Sequence, residues 1–279
     1  MLFLLCAASL ADGAVTNRSE VAQPEHGWQT LEPGLELGVF LAPVAAETGD
    51  SLIRVLRIDP QRFEFRLLNA SAAESKQTLT AKAWCQQHGL VAAINASMYQ
   101  QDYRTSVSLM RTKTHVNNPR LSGDKAILAF DRQTAAVPLL KIIDRQCENF
   151  EDWQASYGTF VQSIRLISCK GRNVWRPQDG KWSLAAIGLA DDGWGLFIHV
   201  RSPYSTYDVI DMLLALPLRI AGAMYAEGGR EAQLYVQSGQ FEYEFVGGYN
   251  TSFIESNNTP AAAPIPNVIG IARREQPAE

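Results

Sequence analysis

Along much of the chain apolar residues alternate with charged ones, as in residues 35–41 (LELGVFL), 51–58 (SLIRVLRI) and 63–68 (FEFRLL). Successive strand side chains point to opposite faces, so a period of two predicts half-exposed antiparallel strands. Asp59-Pro60 predicts the turn between the last two. Further strands are predicted at 107–110, 126–130, 137–143, 160–168, 241–246 and 266–272, with turns at Asn117-Asn118-Pro119 and Ser122-Gly123-Asp124. Residues 90–94 and 220–226 are apolar throughout, as strands buried on both faces are. Residues 183–190 and 195–199 flank Asp191-Asp192-Gly193-Trp194, a hairpin signal.

Two segments carry helical spacing instead. In 78–88, Leu79, Ala83 and Trp84 fall on one face, with Thr78 or Thr80 as N-cap and Gly89 as the stop. A second helix starts at Ser202-Pro203 or at Ser205, where Asp208 completes a capping box; its apolar face is Val209, Met212, Leu213 and Leu216, and Pro217 ends it. Residues 150–157 predict a helical turn, and residues 172–181 and 247–263 polar loops. No Gly-x-Gly-x-x-Gly follows a strand. The pattern predicts an α+β fold, with largely antiparallel or mixed sheets and a few packed helices, in a single domain over residues 28–279.

Composition narrows the function classes. With 279 residues and 46% hydrophobic content the chain can bury a large core. Its 25 basic and 29 acidic residues give a formal charge of -4, so no global basic field recommends nucleic acid, and any anion site must be local. The start, MLFLLCAASLADGA, has the apolar run and small residues of a secretory signal without its basic n-region, and residues 17–27 read as a linker; this predicts a periplasmic or secreted protein. No later run approaches the roughly 20 apolar residues of a membrane span. Signal cleavage would remove Cys6 and leave Cys85, Cys147 and Cys169 without zinc-like spacing. In an oxidising compartment Cys147 and Cys169 can pair, and Cys85 is a buried free thiol on the first helix; if the chain stays inside, all three are reduced.

The candidate chemistry lies in Glu227-Gly228-Gly229-Arg230-Glu231, between the apolar strand at 220–226 and a strand starting at Gln233. Adjacent glycines can turn N–H groups toward an anion while Glu227 emerges from the strand end; the same segment also reads as a hairpin turn with solvated charges. Asn95 at one strand end and His199 and Arg201 at another are polar groups placed to face a cleft, and Arg104 lies in a cationic stretch with Arg111, Lys113 and His115. Glu227, Glu231, His199 and Asp208 match no metal-ligand spacing, so neither metal nor cofactor is expected.

In order along the chain, Ile94-Asn95-Ala96-Ser97-Met98-Tyr99, Ala186-Ile187-Gly188 with Asp192-Gly193, Tyr225 to Ala232, and Pro266 to Gly270 resemble the motifs of the phosphodiester glycosidase family, over residues 90–273. Glu227 stands where that family has Asp, Arg230 where it has a third Gly, Ala96-Ser97 where it has a Gly pair, and Leu184-Ala185 where it commonly has Arg-Thr. The resemblance implies a hydrolase that releases a sugar from a sugar-1-phosphodiester. Glu227 is then the base or nucleophile; Arg104, Arg201, Arg230 and the N–H groups of Gly228 and Gly229 hold the phosphate; Asn95 and His199 bind sugar hydroxyls or position water. The alternative is a non-catalytic protein that binds envelope glycans or glycosyl phosphates in the same cleft.

Overall fold

The computed structural model describes residues 27–250, 253–254 and 261–275, so the apolar N-terminal run and most of its linker, with Cys6, lie outside the described residues, as do residues 251–252 and 255–260 of the loop after Val246. Three antiparallel sheets carry the fold. The largest has seven strands in the order Gly27–Glu32, Leu35–Leu41, Leu52–Ile58, Gly195–Tyr204, Trp182–Ala190, Ile220–Gly228 and Arg165–Ile167. A second sheet orders Val116–Asn118, Met110–Arg111, Tyr157–Ser163, Ala126–Arg132 and Leu140–Asp144. The third orders Phe241–Val246, Gln233–Ser238, Ala92–Asn95, Asn267–Arg273 and Phe63–Asn69. The chain is an α+β protein with strand predominant.

One apolar core joins all three sheets: Leu37, Leu56, Ile187, Phe197 and Met224 from the first meet Leu128 and Val161 from the second and Ile94, Leu234 and Ile269 from the third. The opposite face of the seven-stranded sheet is covered by helix Thr206–Ala215 through Val209, Ile210, Met212 and Leu213. Burial on both faces explains why residues 184–187 and 196–198 are apolar without alternation. Helix Ala81–His88 packs Trp84 and Cys85 on the third sheet; Thr80 Oγ1 accepts from Ala83 N–H, and Gly89 ends the helix at φ 63°. Cys85 is a free, buried thiol, and Cys147 and Cys169 are joined in a disulfide.

Several elements depart from the sequence pattern. Residues 160–168 are not one strand: Tyr157–Ser163 belongs to the second sheet and Arg165–Ile167 to the edge of the first, the chain changing sheets at Ile164. Strand Gly195–Tyr204 runs five residues past His199, so Ser202-Pro203 is strand, and Ser205 caps the helix by accepting from Asp208 N–H at 3.1 Å. Strand Leu140–Asp144 begins after Pro138, which has no N–H to pair. Residues 116–118 pair as a strand where a turn was expected. Most important for function, the segment at Glu227 is not a hairpin: Ile220–Gly228 lies in the seven-stranded sheet and Gln233–Ser238 in the third, so the chain crosses between sheets there.

Candidate active site

Glu227 is the penultimate residue of its strand. Across the sheet, Arg54 faces His199, His199 faces Ala185 and Ala185 faces Glu227, a single row over four strands. Ala185 is thus the residue between the acid and the histidine in that row. The pairing slips between Ala185 and Ala186, leaving Ala226 as the extra residue and re-aiming Glu227 at the strand end.

The carboxyl of Glu227 accepts a hydrogen bond from Gly228 N–H at 3.0 Å. Burial pushes its pKa up from 4.5 to about 7, the Gly228 bond opposes the rise and the negative charge of Glu231 adds to it. A carboxyl near neutrality in a sheltered position can carry a proton in either direction under physiological conditions. Two tyrosines sense the same charges. Tyr99 is pushed up by burial and then by Glu227 and Glu231, and Tyr225 by burial and then by Glu227. A Cβ on Gly228 would strike the Tyr225 hydroxyl and stand 2.9 Å from Trp182 Cδ1, so glycine is required there by close approach. The other glycine is required by conformation, Gly229 having φ 69° where Gly228 is extended.

After Gly228 one short turn, Gly229–Glu231, leads to the next sheet, and it is fastened from three sides. Asn95 Nδ2 donates to Glu231 O at 2.9 Å while Asn95 Oδ1 accepts from Gln233 N–H at 2.7 Å. Ala232 O accepts from Gly247 N–H at 2.7 Å and from His199 Nε2 at 3.3 Å. A carbonyl only accepts, so His199 carries its proton on Nε2. That ring is wholly buried and stacks on Phe245, and burial, with Arg54 nearby, depresses its pKa to about 3; it is neutral across the working range. Arg54 is itself buried and pairs with Asp50 at 2.7 Å.

The predicted residues thus fall into three groups. Glu227, Gly228, Gly229 and Arg230 lie on the crossing segment, with Asn95 and His199 fastened to its backbone from behind. Arg201 is two residues beyond His199 on the same strand, its carbonyl held by Ser183 Oγ. Arg104 is elsewhere, exposed on loop 99–106, with its carbonyl held by Asn117 and Asn267. That loop returns to the site through Tyr99, whose ring lies 5.7 Å from that of Tyr103. Sequence does not single out Tyr99, Tyr225 or Trp182 as site residues, and it weighs Glu231 only as a metal ligand that the spacing rejects. The signal present was proximity in sequence: Tyr99 ends the Asn95 motif and Glu231 ends the Glu227 motif.

The profile of the phosphodiester glycosidase family matches residues 88–272. No curated protein matches in sequence. Among solved structures, the catalytic domain of zebrafish N-acetylglucosamine-1-phosphodiester alpha-N-acetylglucosaminidase, auto-inhibited by its pro-peptide, is similar with a TM-score of 0.59 at 11% identity, covering 89% of this chain and 87% of that one. A hypothetical protein from Synechocystis is similar with a TM-score of 0.63 at 14% identity, over 90% of this chain and 64% of that one. At such identities these two likenesses speak for the fold alone.

Proposed function

Because the chain belongs to the phosphodiester glycosidase family, we propose that it hydrolyses a sugar-1-phosphodiester at the anomeric carbon, with Glu227 as the general base. The observation that carries this reading is the sheltered carboxyl on the family's acidic position, with its pKa raised to about 7. In the step, the oxygen of water bonds to the anomeric carbon as the bond from that carbon to the phosphate oxygen breaks. The bonding pair leaves with the phosphate, and the proton of water passes to Glu227. A phosphate monoester with a second pKa of about 6 departs without prior protonation, so the usual need for a strong acid at the leaving oxygen is relaxed.

Arg201 and Arg230 are assigned to the phosphate, guanidinium groups being suited to bidentate contact, while Arg104, exposed on loop 99–106, is left out of that set. Gly228 N–H is committed to Glu227, which leaves Gly229 as the backbone donor of the pair. Tyr99, Tyr103 and Trp182 offer ring faces for the sugar. The Cys147–Cys169 bond favours an oxidising compartment, and hence an exported protein; no helix among the described residues is long and apolar enough to cross a membrane.

The test is turnover of a glycosyl phosphodiester. Glu227→Gln is expected to lower kcat by about a thousandfold with folding intact. In the parent enzyme kcat/KM should rise with pH and level off above about 7 as the base ionises. A Glu227→Gln protein that cleaves at the parent rate ends the assignment. A ligand that binds tightly and is recovered unchanged from the parent protein replaces the enzyme by the binding module.

A further inference from the structure

Asn95 reads from sequence as a substrate ligand, yet its amide is already occupied. It is 2% exposed and ends strand Ala92–Asn95 in the third sheet, the sheet toward which the crossing segment runs. Its neighbour Ile94 pairs with Leu234, and one step on the side chain of Asn95 stands in for the ladder, its oxygen taking Gln233 N–H at 2.7 Å and its nitrogen reaching Glu231 O at 2.9 Å. Glu231 O only accepts and Gln233 N–H only donates, so one amide orientation satisfies both. The two contacts bracket Ala232, and Ala232 O is held in turn by Gly247 and His199. A side chain clamped this way is spent on geometry.

We propose that Asn95 is a positioning residue: by locking the Gly229–Glu231 turn it fixes Glu231 as a second carboxyl beside Glu227, and it acts on catalysis through that neighbour. A negative charge held close strengthens Glu227 as a base by making its proton harder to lose; Glu231 closes the three-residue turn that begins two residues after Glu227, and its charge pushes the pKa of Glu227 up. The inference rests on the glycosidase reading for its kinetic part only.

The experiment compares the parent protein with Asn95→Ala, Glu231→Gln and the double variant. Kinetics on a glycosyl phosphodiester are followed over roughly pH 5 to 9, and the ionisation of Glu227 is followed directly by carboxyl NMR on glutamate-labelled protein. Asn95→Ala is expected to reduce kcat on the order of tenfold to a hundredfold with KM little changed, because the loss is in alignment of the reacting groups. Both single variants should move the ionisation of Glu227 to lower pH, and the double variant should ionise where Glu231→Gln does. Glu231→Gln keeps both Asn95 bonds, which go to backbone, so it reports even where Asn95→Ala folds poorly. An increase in KM alone with the Glu227 titration unmoved returns Asn95 to the substrate and overturns the proposal. Additive shifts in the double variant overturn the route through Glu231. A parent protein that turns over no glycosyl phosphodiester defeats the proposed function, and the NMR titration still decides this inference.

Discussion

At the residue scale the molecule holds a carboxyl where a carboxylate is unwelcome. The unfolded chain ionises Glu227 near 4.5 and the folded one near 7, so between these values the native state keeps a proton that the unfolded state has released. The sign follows: the stability contributed by neutral Glu227 is full below about 4.5, declines as pH rises and is lost above about 7. Glu227→Gln has no such charge to bury. It should match the parent in denaturant stability at acid pH and exceed it by up to about 3 kcal/mol at pH above 7, measured by urea titration at several pH values. An equal difference at all pH values would mean that ionisation is not its source. The position was legible, because an acid between an apolar strand and a glycine pair stands out. Its burial was not, since Tyr99, which feels its charge, lies far upstream and Gly228 is required by Tyr225 and Trp182, contacts that no local pattern encodes.

At the element scale, loop 99–106 is built tightly for an exposed segment. Asp102 Oδ1 accepts from Arg104 N–H and Thr105 N–H at 3.0 and 2.9 Å, Gln100 N–H meets Thr105 O at 2.7 Å, and Arg104 O is held by two asparagines. The result is Tyr103 at φ 55° and 65% exposed, a bulky side chain in left-handed backbone beside Tyr99. Backbone strain of this kind costs about 1–2 kcal/mol and is retained where the side chain is wanted outside. Tyr103→Gly should therefore leave the melting temperature level or slightly higher while raising KM for a glycosyl phosphodiester; a lower melting temperature with unchanged KM would make the ring structural. The helices were legible because capping is local chemistry: Gly89 is the stop expected, and Thr80 and Ser205 are each one of the two starts that the sequence offers. The division of residues 160–168 between two sheets was not, because Ile164 marks no break in composition; only the neighbours Ala126–Arg132 and Ile220–Gly228 decide where each half pairs.

For the whole molecule, three sheets share one core, and the Cys147–Cys169 bond ties the segment after strand Leu140–Asp144 to the segment after strand Arg165–Ile167. Beside it Arg165 pairs with buried Asp144 at 2.6 Å, and Asp144 also takes Cys169 N–H at 3.0 Å. A loop of 22 residues closed by a disulfide stabilises by about 3 kcal/mol. Replacing both cysteines by serine should lower the melting temperature by several degrees and leave kcat well below that temperature unchanged, since strand Arg165–Ile167, which leads to Cys169, pairs at Ala223 and Met224 and not at Glu227. A loss of kcat at low temperature would show that the tie reaches the site.

The crossing at Glu227 has a wider consequence. Had the chain doubled back within one sheet, its reactive acid would ride on an independent flap, free to vary without disturbing the framework. Because the acid travels where the polypeptide hands over from one slab to another, turnover becomes a gauge of how those slabs seat: a slip along their seam should extinguish chemistry while every strand is still intact.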